Sequence, residues 1–161
     1  MLKKILLLIA LILCFLDIKA QSVSATYSAG NIKSGDSGWP GSCNAKTLTL
    51  PVPIGATITS VDVAYDFQAR NSGFMSHQRS QIYAQETATD EGGFISGTGA
   101  STGTQSYSRT GLTLANGVSA TGSITFEMRA WRTWPFGSVC DLQYQFVPTG
   151  TWTSTVNHRP P

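Results

Sequence analysis

The chain has 161 residues, of which 12% are charged, with 11 basic and 9 acidic side chains. Removal of the N-terminal leader described below would equalise the two numbers, because three lysines and one aspartate lie within it. A neutral chain without a basic run offers no net electrostatic attraction to nucleic acid or to an anionic membrane surface. Low charge combined with many Ser, Thr and Gly residues is typical instead of an extracellular β protein.

The first twenty residues predict a cleaved signal peptide. Two lysines precede a twelve-residue apolar run, Ile5–Leu16, which is followed by a short polar segment that ends in Ala20. Cleavage after Ala20 gives a leader of residues 1–20 and a mature domain of residues 21–161. The apolar run is shorter than a membrane-spanning helix needs, and nothing later in the sequence approaches that length. We therefore expect a secreted or periplasmic protein, with association to the cell surface left open and no transmembrane segment after signal cleavage.

Alternating apolar and polar residues predict β-strands along most of the mature chain. Between residues 58 and 67 the pattern places Val61, Val63 and Tyr65 on one face of a strand. A second run, from Ile124 to Ala130, alternates in the same way. The predicted strands span, in chain order, residues 23–28, 47–52, 58–67, 79–85, 106–114, 124–131, 142–147 and 151–156.

Turn-forming residues separate these strands. Examples are Pro53-Ile54-Gly55, Asn71-Ser72-Gly73, Asn116-Gly117 and Pro148-Thr149-Gly150. No segment of the mature chain shows a helical pattern with capping residues. We therefore predict an all-β protein, a single-domain β-sandwich in the form of a jelly roll with about eight strands and one disulfide.

Two similar stretches hold the two cysteines that remain after the leader is removed. The first is Trp39-Pro40-Gly41-Ser42-Cys43 and the second is Trp134-Pro135-Phe136-Gly137-Ser138-Val139-Cys140. An exported protein with two cysteines most simply forms one disulfide, here between Cys43 and Cys140. The bridge would close a loop of roughly 100 residues and would stabilise the fold by about 4–5 kcal/mol. It would also hold the two Trp-Pro loops side by side.

Aromatic and arginine side chains gather around the second of these stretches. Exposed rings with neighbouring polar groups suit a carbohydrate, because the rings take the apolar faces of a sugar and the polar groups take its hydroxyls. The alternative is that the rings plug the end of the sandwich beneath the disulfide. Trp131 is out of step with the core row of Phe126 and Met128, which favours exposure or a second packing layer. The predicted ligand-binding residues are Trp39, Arg129, Trp131, Arg132, Trp134 and Phe136, and Phe74 and Met75 in the turn at Gly73 are further candidates.

Two segments resemble known secreted domains. The segments Leu50-Pro51-Val52-Pro53-Ile54-Gly55-Ala56-Thr57-Ile58-Thr59-Ser60-Val61-Asp62-Val63 and Gly150-Thr151-Trp152-Thr153-Ser154-Thr155-Val156 are similar to strand signatures of proprotein-convertase P-domain-like jelly rolls. They also resemble small β-sandwich domains of secreted Bacteroidetes proteins, in which a leader ending in Ala-Gln is common. The resemblance implies a secreted bacterial jelly roll. It carries no catalytic residues over, because the P-domain pattern of a His followed by an Asp-Leu pair is missing.

Matches to catalytic motifs lack the context that the chemistry needs. Ser101 lies in a G-x-S-x-G match, and Asp141 and His158 follow it in the chain order of a hydrolase triad. That motif requires a strand before the serine and a helix after it, whereas Ser101 lies in a Gly-rich run that we interpret as a flexible loop. Asp62 and Asp66 share a strand face but stand roughly 13 Å apart, too far for a glycosidase pair. We expect no catalytic residues, and we expect these two carboxylates to pair with Arg129 or Arg132.

No motif in the sequence predicts a metal or cofactor site. His77 and His158 lack a third ligand at a suitable spacing, and His77 is interpreted as a loop or strand-end residue. Asp36, Asp90 and Glu91 lie in Gly-containing loops that have the oxygen ligands calcium prefers, without the spacing of a calcium-binding motif. We expect no cofactor, and calcium binding is left open.

These observations favour a binding protein over an enzyme. The first hypothesis is a secreted, non-catalytic, lectin-like module that binds glycans or mediates adhesion through the aromatic loop edge. The second is a structural or protein-interaction subunit of an extracellular or envelope assembly, and the third is a small hydrolase. The expected partner is a glycan or a cell-surface protein, and no nucleic acid.

Overall fold

A computed structural model describes residues 20–35, 45–134 and 140–161. Trp39, Cys43 and Phe136 lie outside the described residues, and so does all of the predicted leader except Ala20. The signal peptide and the Cys43–Cys140 disulfide therefore stay predictions. The described part of the chain contains no helix long and apolar enough to cross a membrane.

Strands make up most of the described chain. The longer strands coincide with the eight predicted from the alternating pattern, and the three additional strands have only two or three residues each. A single 3-10 turn, Met75–His77, precedes β5. The strands are β1 (Gln21–Thr26), β2 (Ile32–Ser34), β3 (Ala45–Pro51), β4 (Thr57–Ala69), β5 (Gln78–Ala84), β6 (Thr89–Asp90), β7 (Ile95–Ser96), β8 (Gly103–Leu112), β9 (Ser123–Arg132), β10 (Asp141–Val147) and β11 (Thr153–Arg159).

The strands form two antiparallel sheets. Sheet I has the order β1-β11-β4-β10-β2, with β8 paired to the other edge of β4. Sheet II has the order β3-β9-β5-β6, with β7 also paired to β5. Apart from β5 and the short strands β6 and β7, which follow it directly, neighbours within each sheet are far apart in sequence, because the chain passes back and forth between the sheets as in a jelly roll. The prediction of an all-β sandwich is confirmed.

The core lies between the sheets and follows from the alternation in the sequence. In β4, Val61, Val63, Tyr65 and Phe67 are buried, while the residues that alternate with them are more exposed. β9 contributes a matching row of every second residue from Ile124 to Ala130. Each strand buries one face because successive side chains of a strand point to opposite sides of its sheet.

A buried polar cluster joins the two sheets at the edge formed by β8. Glu91, in the loop after β6, accepts a hydrogen bond from the backbone N–H of Ile82 in β5 (2.8 Å). Its second carboxylate oxygen lies 2.7 Å from Nε of Arg109 in β8. The same guanidinium donates to the hydroxyl of Tyr65 in β4 (3.0 Å), which lies 2.5 Å from the Ser80 hydroxyl in β5. The polar cluster therefore bonds strands of sheet I to strands of sheet II.

Burial changes the acidity of the groups in this cluster. Burial raises the pKa of Glu91 above its ordinary value, and the Arg109 guanidinium acts in the opposite direction. Tyr107 stacks on Tyr65 with ring centroids 5.1 Å apart and donates to the side chain of Gln78 (2.8 Å). Burial, with a smaller effect of Tyr65, raises the pKa of Tyr107 to about 12, so this hydroxyl remains a hydrogen-bond donor at neutral pH.

The prediction that Asp62 and Asp66 pair with Arg129 or Arg132 is wrong. Both carboxylates lie on the outer face of sheet I, where Asp62 accepts from a backbone N–H of the β8 strand and Asp66 accepts from the Ser106 hydroxyl (2.6 Å). Arg129 and Arg132 belong to β9 in sheet II. Sheet I therefore lies between these carboxylates and the arginines expected to pair with them.

The residues of the hydrolase-like motif do not meet. The strand that begins at Gly103, just after Ser101, pairs with Ala69 at the end of β4, whereas His158 pairs with Ile58 near the start of β4. The strand length between Ile58 and Ala69 corresponds to about 36 Å at the usual rise per residue. Ser101 and His158 therefore lie near opposite ends of the sandwich and form no triad.

Candidate functional site

Four rings meet at the end of the sandwich where β4 and β9 finish. The ring centroids of Phe74 and His77 are 5.3 Å apart, and those of His77 and Trp134 are 5.6 Å apart. Trp134 contacts the ring of Tyr144 in an edge-to-face arrangement at 6.1 Å. These separations fall in the range of attractive aromatic pairs. We call Phe74, His77, Trp134 and Tyr144 the end cluster.

A pocket of about 280 Å³ opens between these rings. Ser72, Phe74, His77 and Trp134 line it. The side chains of Phe74 and Trp134 are 38% and 39% exposed. Its volume lies just below the range of about 300–1,000 Å³ that is usual for pockets of drug-sized ligands, so it suits one small ring of a ligand. We call it the end pocket.

The turn between β4 and β5 brings Phe74 and His77 to this end. Asn71 and Ser72 adopt left-handed backbone conformations, with φ of 50° and 70°. The Asn71 side chain donates to the backbone carbonyl of Gln143 (2.9 Å), which ties the turn to β10. The buried amide of Gln145 donates to the carbonyl of Phe74 (2.7 Å). Side-chain bonds to β10 therefore hold the turn and the rings that it carries.

The Gly-rich segment before β8 supports the same turn from the other side. The backbone N–H of Met75 donates to the carbonyl of Ser101 (3.0 Å), and that of Ser76 donates to the carbonyl of Gly99 (2.9 Å). Gly97 is buried and donates its own N–H to the carbonyl of Gln78 (2.9 Å). The interpretation of this segment as a flexible loop is wrong, because it is bonded along its length to residues 75–78.

His77 contributes a neutral hydrogen-bonding group to the end pocket. Burial lowers the pKa of His77 below its ordinary value, and the positive charge of Arg79 lowers it further. The Nδ1 atom of the ring accepts the backbone N–H of Phe74 (3.4 Å). A neutral imidazole that accepts at Nδ1 carries its hydrogen on Nε2, so His77 can donate one hydrogen bond to a ligand.

Arg132, a predicted ligand-binding residue, lies inside the protein behind the end cluster. Its side chain is 2% exposed and pairs with Asp141 (3.0 Å). It also donates to the carbonyl of Ser34 (2.8 Å), and its guanidinium carbon lies 5.5 Å from the ring centroid of Tyr144. Since it is buried, Arg132 supports the cluster from within and is not placed to contact a ligand.

Arg129 and Trp131, two other predicted site residues, lie on the outer face of sheet II. Arg129 pairs with Glu127, and its guanidinium carbon lies 4.0 Å from the ring centroid of Tyr83. Trp131 contacts Phe94 edge to face at 5.6 Å. This contact covers part of the Trp131 ring. Phe94 itself is 55% exposed and remains accessible. Of the two alternatives for Trp131, the structure favours a second packing layer.

The predicted aromatic edge and the end cluster overlap only in part. They share Trp134 and Phe74, whereas His77 and Tyr144 were outside the prediction. The sequence gives only a weak indication that His77 is a site residue, because the sequence of a short turn does not show which way a side chain points. Tyr144 carries no distinguishing signal, because it is one of several apolar residues in a strand. The remaining predicted residues, Trp39 and Phe136, lie in parts of the chain that the structure leaves undescribed.

Among the described residues, no group of three or more His, Cys, Asp or Glu side chains is arranged to hold a metal ion. Asp90 and Glu91, the described candidates for calcium, have other partners. The carboxylate of Asp90 accepts from the backbone N–H of Gly92 (2.8 Å), and Glu91 pairs with Arg109. Asp36 lies outside the described residues.

No protein-family model and no curated protein sequence matches this chain. Several solved structures are distantly similar to this chain, at low identity. The VP2 subviral particle of infectious bursal disease virus is 12% identical with a TM-score of 0.44, over 88% of this chain and 33% of that chain. A carbohydrate-binding module of Cellvibrio mixtus lichenase 5A in complex with cellotriose is 13% identical with a TM-score of 0.36, over 84% and 95%. A xylan-binding module is 11% identical with a TM-score of 0.40, over 89% and 94%.

These likenesses are distant, with TM-scores from 0.36 to 0.44. The chain spans only about a third of the length of the VP2 protein. The comparisons give no support to the resemblance to proprotein-convertase P-domains or to a Bacteroidetes origin. The chemistry of the end cluster is therefore the basis for a function.

Proposed function

We propose that this protein is an exported, non-catalytic module that binds a saccharide in the end pocket. The observation that carries the proposal is a pocket of about 280 Å³ between three rings, two of which are more than a third exposed. Soluble proteins seldom leave large apolar side chains grouped at the surface without a binding role. Flat aromatic rings suit the apolar faces of a sugar ring. Few other neutral polar ligands have such a face.

Polar groups at the pocket are placed to bond the hydroxyls of a sugar. His77 is neutral and can donate through Nε2, and the hydroxyl of Ser72 can both donate and accept. Trp39 and Phe136 belong to the proposed site as further rings. Phe136 follows Trp134 by two residues, and a disulfide from Cys43 to Cys140 would bring Trp39 to the same end.

The first experiment is a glycan-array screen of the purified, oxidised mature protein, with titration of each hit by tryptophan fluorescence. We expect at least one saccharide to bind and to change the fluorescence, because Trp134 lies in the pocket wall. If no saccharide binds, the proposal is wrong. The second hypothesis, a protein-interaction subunit, would then be tested by pull-down from the cell envelope.

Replacing Trp134 with Ala tests whether the ring binds ligand or only fills the end of the sandwich. We expect binding of the array hit to weaken by about tenfold or more, the equivalent of about 1.4 kcal/mol, because the stacking surface is lost. Stability should fall by no more than about 2 kcal/mol, since the side chain is 39% exposed, whereas a fully buried Trp costs about 3–5 kcal/mol. Fluorescence titration and urea denaturation measure the two effects.

Ile54→Ala is the matched control for this substitution. Ile54 is 75% exposed and lies in the loop before β4, at the end of the sandwich remote from Trp134. It should leave binding unchanged. A loss of 3–5 kcal/mol in Trp134→Ala, with binding unaltered in the fraction that stays folded, would show that Trp134 is a structural plug.

A further inference from the structure

Arg79 links the end pocket to a second aromatic group on the outer face of sheet II. It follows His77 by two residues, and its positive charge is close enough to lower the pKa of that imidazole. On its other side, the guanidinium carbon lies 5.7 Å from the ring centroid of Phe94, which contacts Trp131. A ligand that extends beyond the end pocket in this direction therefore meets a cation between two sets of rings.

The charge of Arg79 has no carboxylate partner among the described residues. Its Nη1 atom donates to the backbone carbonyls of Ser76 (2.8 Å) and Gln78 (2.7 Å). Those two bonds use both hydrogens of Nη1 and orient the guanidinium. The Nε and Nη2 edge of the guanidinium is left to bind an oxyanion in a bidentate manner.

Of the other cations at this end, Arg129 and Arg132 have carboxylate partners, and Arg70 uses both Nε and Nη2 to donate to the carbonyl of Leu142. His77 is neutral at physiological pH because its pKa is lowered. Among the described residues, Arg79 is therefore the cation beside the end pocket whose Nε and Nη2 edge has no hydrogen-bond partner.

We propose that the saccharide bound by this protein is anionic, and that Arg79 binds its acid group while the rings of the end cluster and Phe94 contact its sugar faces. This inference rests on the proposed function. A carboxylate and a sulfate can each present two oxygens to one guanidinium edge, so uronic acid and sulfated saccharides are both in the proposed class. Bonds between a guanidinium and an oxyanion are roughly twice as strong as neutral hydrogen bonds, so the acid group dominates recognition.

The test compares acidic with neutral oligosaccharides of matched length, titrated by fluorescence into the wild-type protein. The probes are oligogalacturonate, which carries carboxylates and no sulfate, carrageenan oligosaccharides, which carry sulfates and no carboxylate, and neutral cello- and xylo-oligosaccharides. We expect at least one acidic series to bind about tenfold more tightly than the neutral ones, and its affinity to fall as NaCl is raised. The series with the higher affinity identifies the acid group as a carboxylate or a sulfate.

Arg79→Gln should remove the preference for the acidic series, so that acidic and neutral saccharides bind with similar affinity. Arg79→Lys keeps the charge without the bidentate edge, and we expect it to retain part of the preference. Arg159→Gln is the control, because Arg159 is an exposed arginine that ends β11 and pairs with Thr57 at the remote end of the sandwich. It removes the same charge and should leave the preference intact.

Failure of this inference is distinguishable from failure of the proposed function. Equal affinity for acidic and neutral saccharides in the wild type overturns the role of Arg79 and leaves saccharide binding standing. The absence of binding by every saccharide overturns both. The wild-type comparison decides the matter even if Arg79→Gln does not fold.

Discussion

Arg109→Met is expected to lower the free energy of unfolding by about 3–5 kcal/mol at pH 7, the usual cost of removing one partner of a buried ion pair. The carboxylate of Glu91 is 3% exposed and would lose the cation that lies 2.7 Å from it. The hydroxyl of Tyr65 would also lose a hydrogen-bond donor. Urea denaturation of the variant and the wild type at pH 7 measures the loss.

The stability lost in Arg109→Met should become smaller as the pH falls. Burial already raises the pKa of Glu91 above its ordinary value of 4.5, and Arg109 opposes that rise, so its removal raises the folded-state pKa further. When the folded-state pKa of an acid exceeds its unfolded value, the folded state binds the proton more tightly. Stability then increases as the pH falls through the folded pKa towards the unfolded one. The variant should therefore regain stability relative to the wild type between pH 7 and about 4.5.

The double variant Arg109→Met with Glu91→Gln is the control for this explanation. Because it removes the buried charge together with its partner, it should recover part of the lost stability and show little of the pH dependence. A deficit of Arg109→Met that is the same at pH 4.5 and pH 7 would contradict the explanation. In that case the loss would come from packing and not from the charge of Glu91.

Gly97→Ala is expected to destabilise the protein by about 3 kcal/mol, at the upper end of the usual cost of overpacking. A Cβ atom at this position would lie 1.9 Å from the carbonyl oxygen of Met75 and 2.9 Å from the hydroxyl of Tyr107. The first contact is with backbone, which cannot rotate away. Thermal or urea denaturation measures the effect.

The substitution should also weaken ligand binding, because relief of the clash moves the turn that carries Phe74 and His77. Gly93→Ala is the matched control, since a Cβ there meets no atom within 4 Å. It should leave stability and binding close to those of the wild type. Equal stability of the two variants would mean that the Gly-rich segment does not pack against the turn as described.

Much of the fold could be predicted because the information is local. Alternation along β4 and β9 reports which face of each strand is buried, and the turn at Asn116-Gly117 has the residues that a positive φ favours. The parity of Trp131 correctly placed it outside the core row. Each of these inferences depends on residues that are neighbours in the sequence.

The site could be predicted only in part, because its residues come from separate strands. Trp134 was selected from its local surroundings, but the ring it contacts, Tyr144, lies in β10 and His77 lies before β5. Arg132 is in step with the buried row of Phe126 and Met128, but only the fold shows that Asp141 comes close enough to pair with its charge. The pairing of distant strands therefore decides which side chains face a ligand.

The sequence by itself determined the strands, their buried faces and the all-β class, since side-chain alternation is a property of a single strand. It also predicted an aromatic surface at Trp134. Only the tertiary structure decided which side chains contact Arg129, Trp131 and Arg132. It also decided that Gly97 must lack a side chain and that Arg79 lies beside the end pocket. Those facts depend on the distance between atoms far apart in the chain, which the order of strands in the two sheets sets.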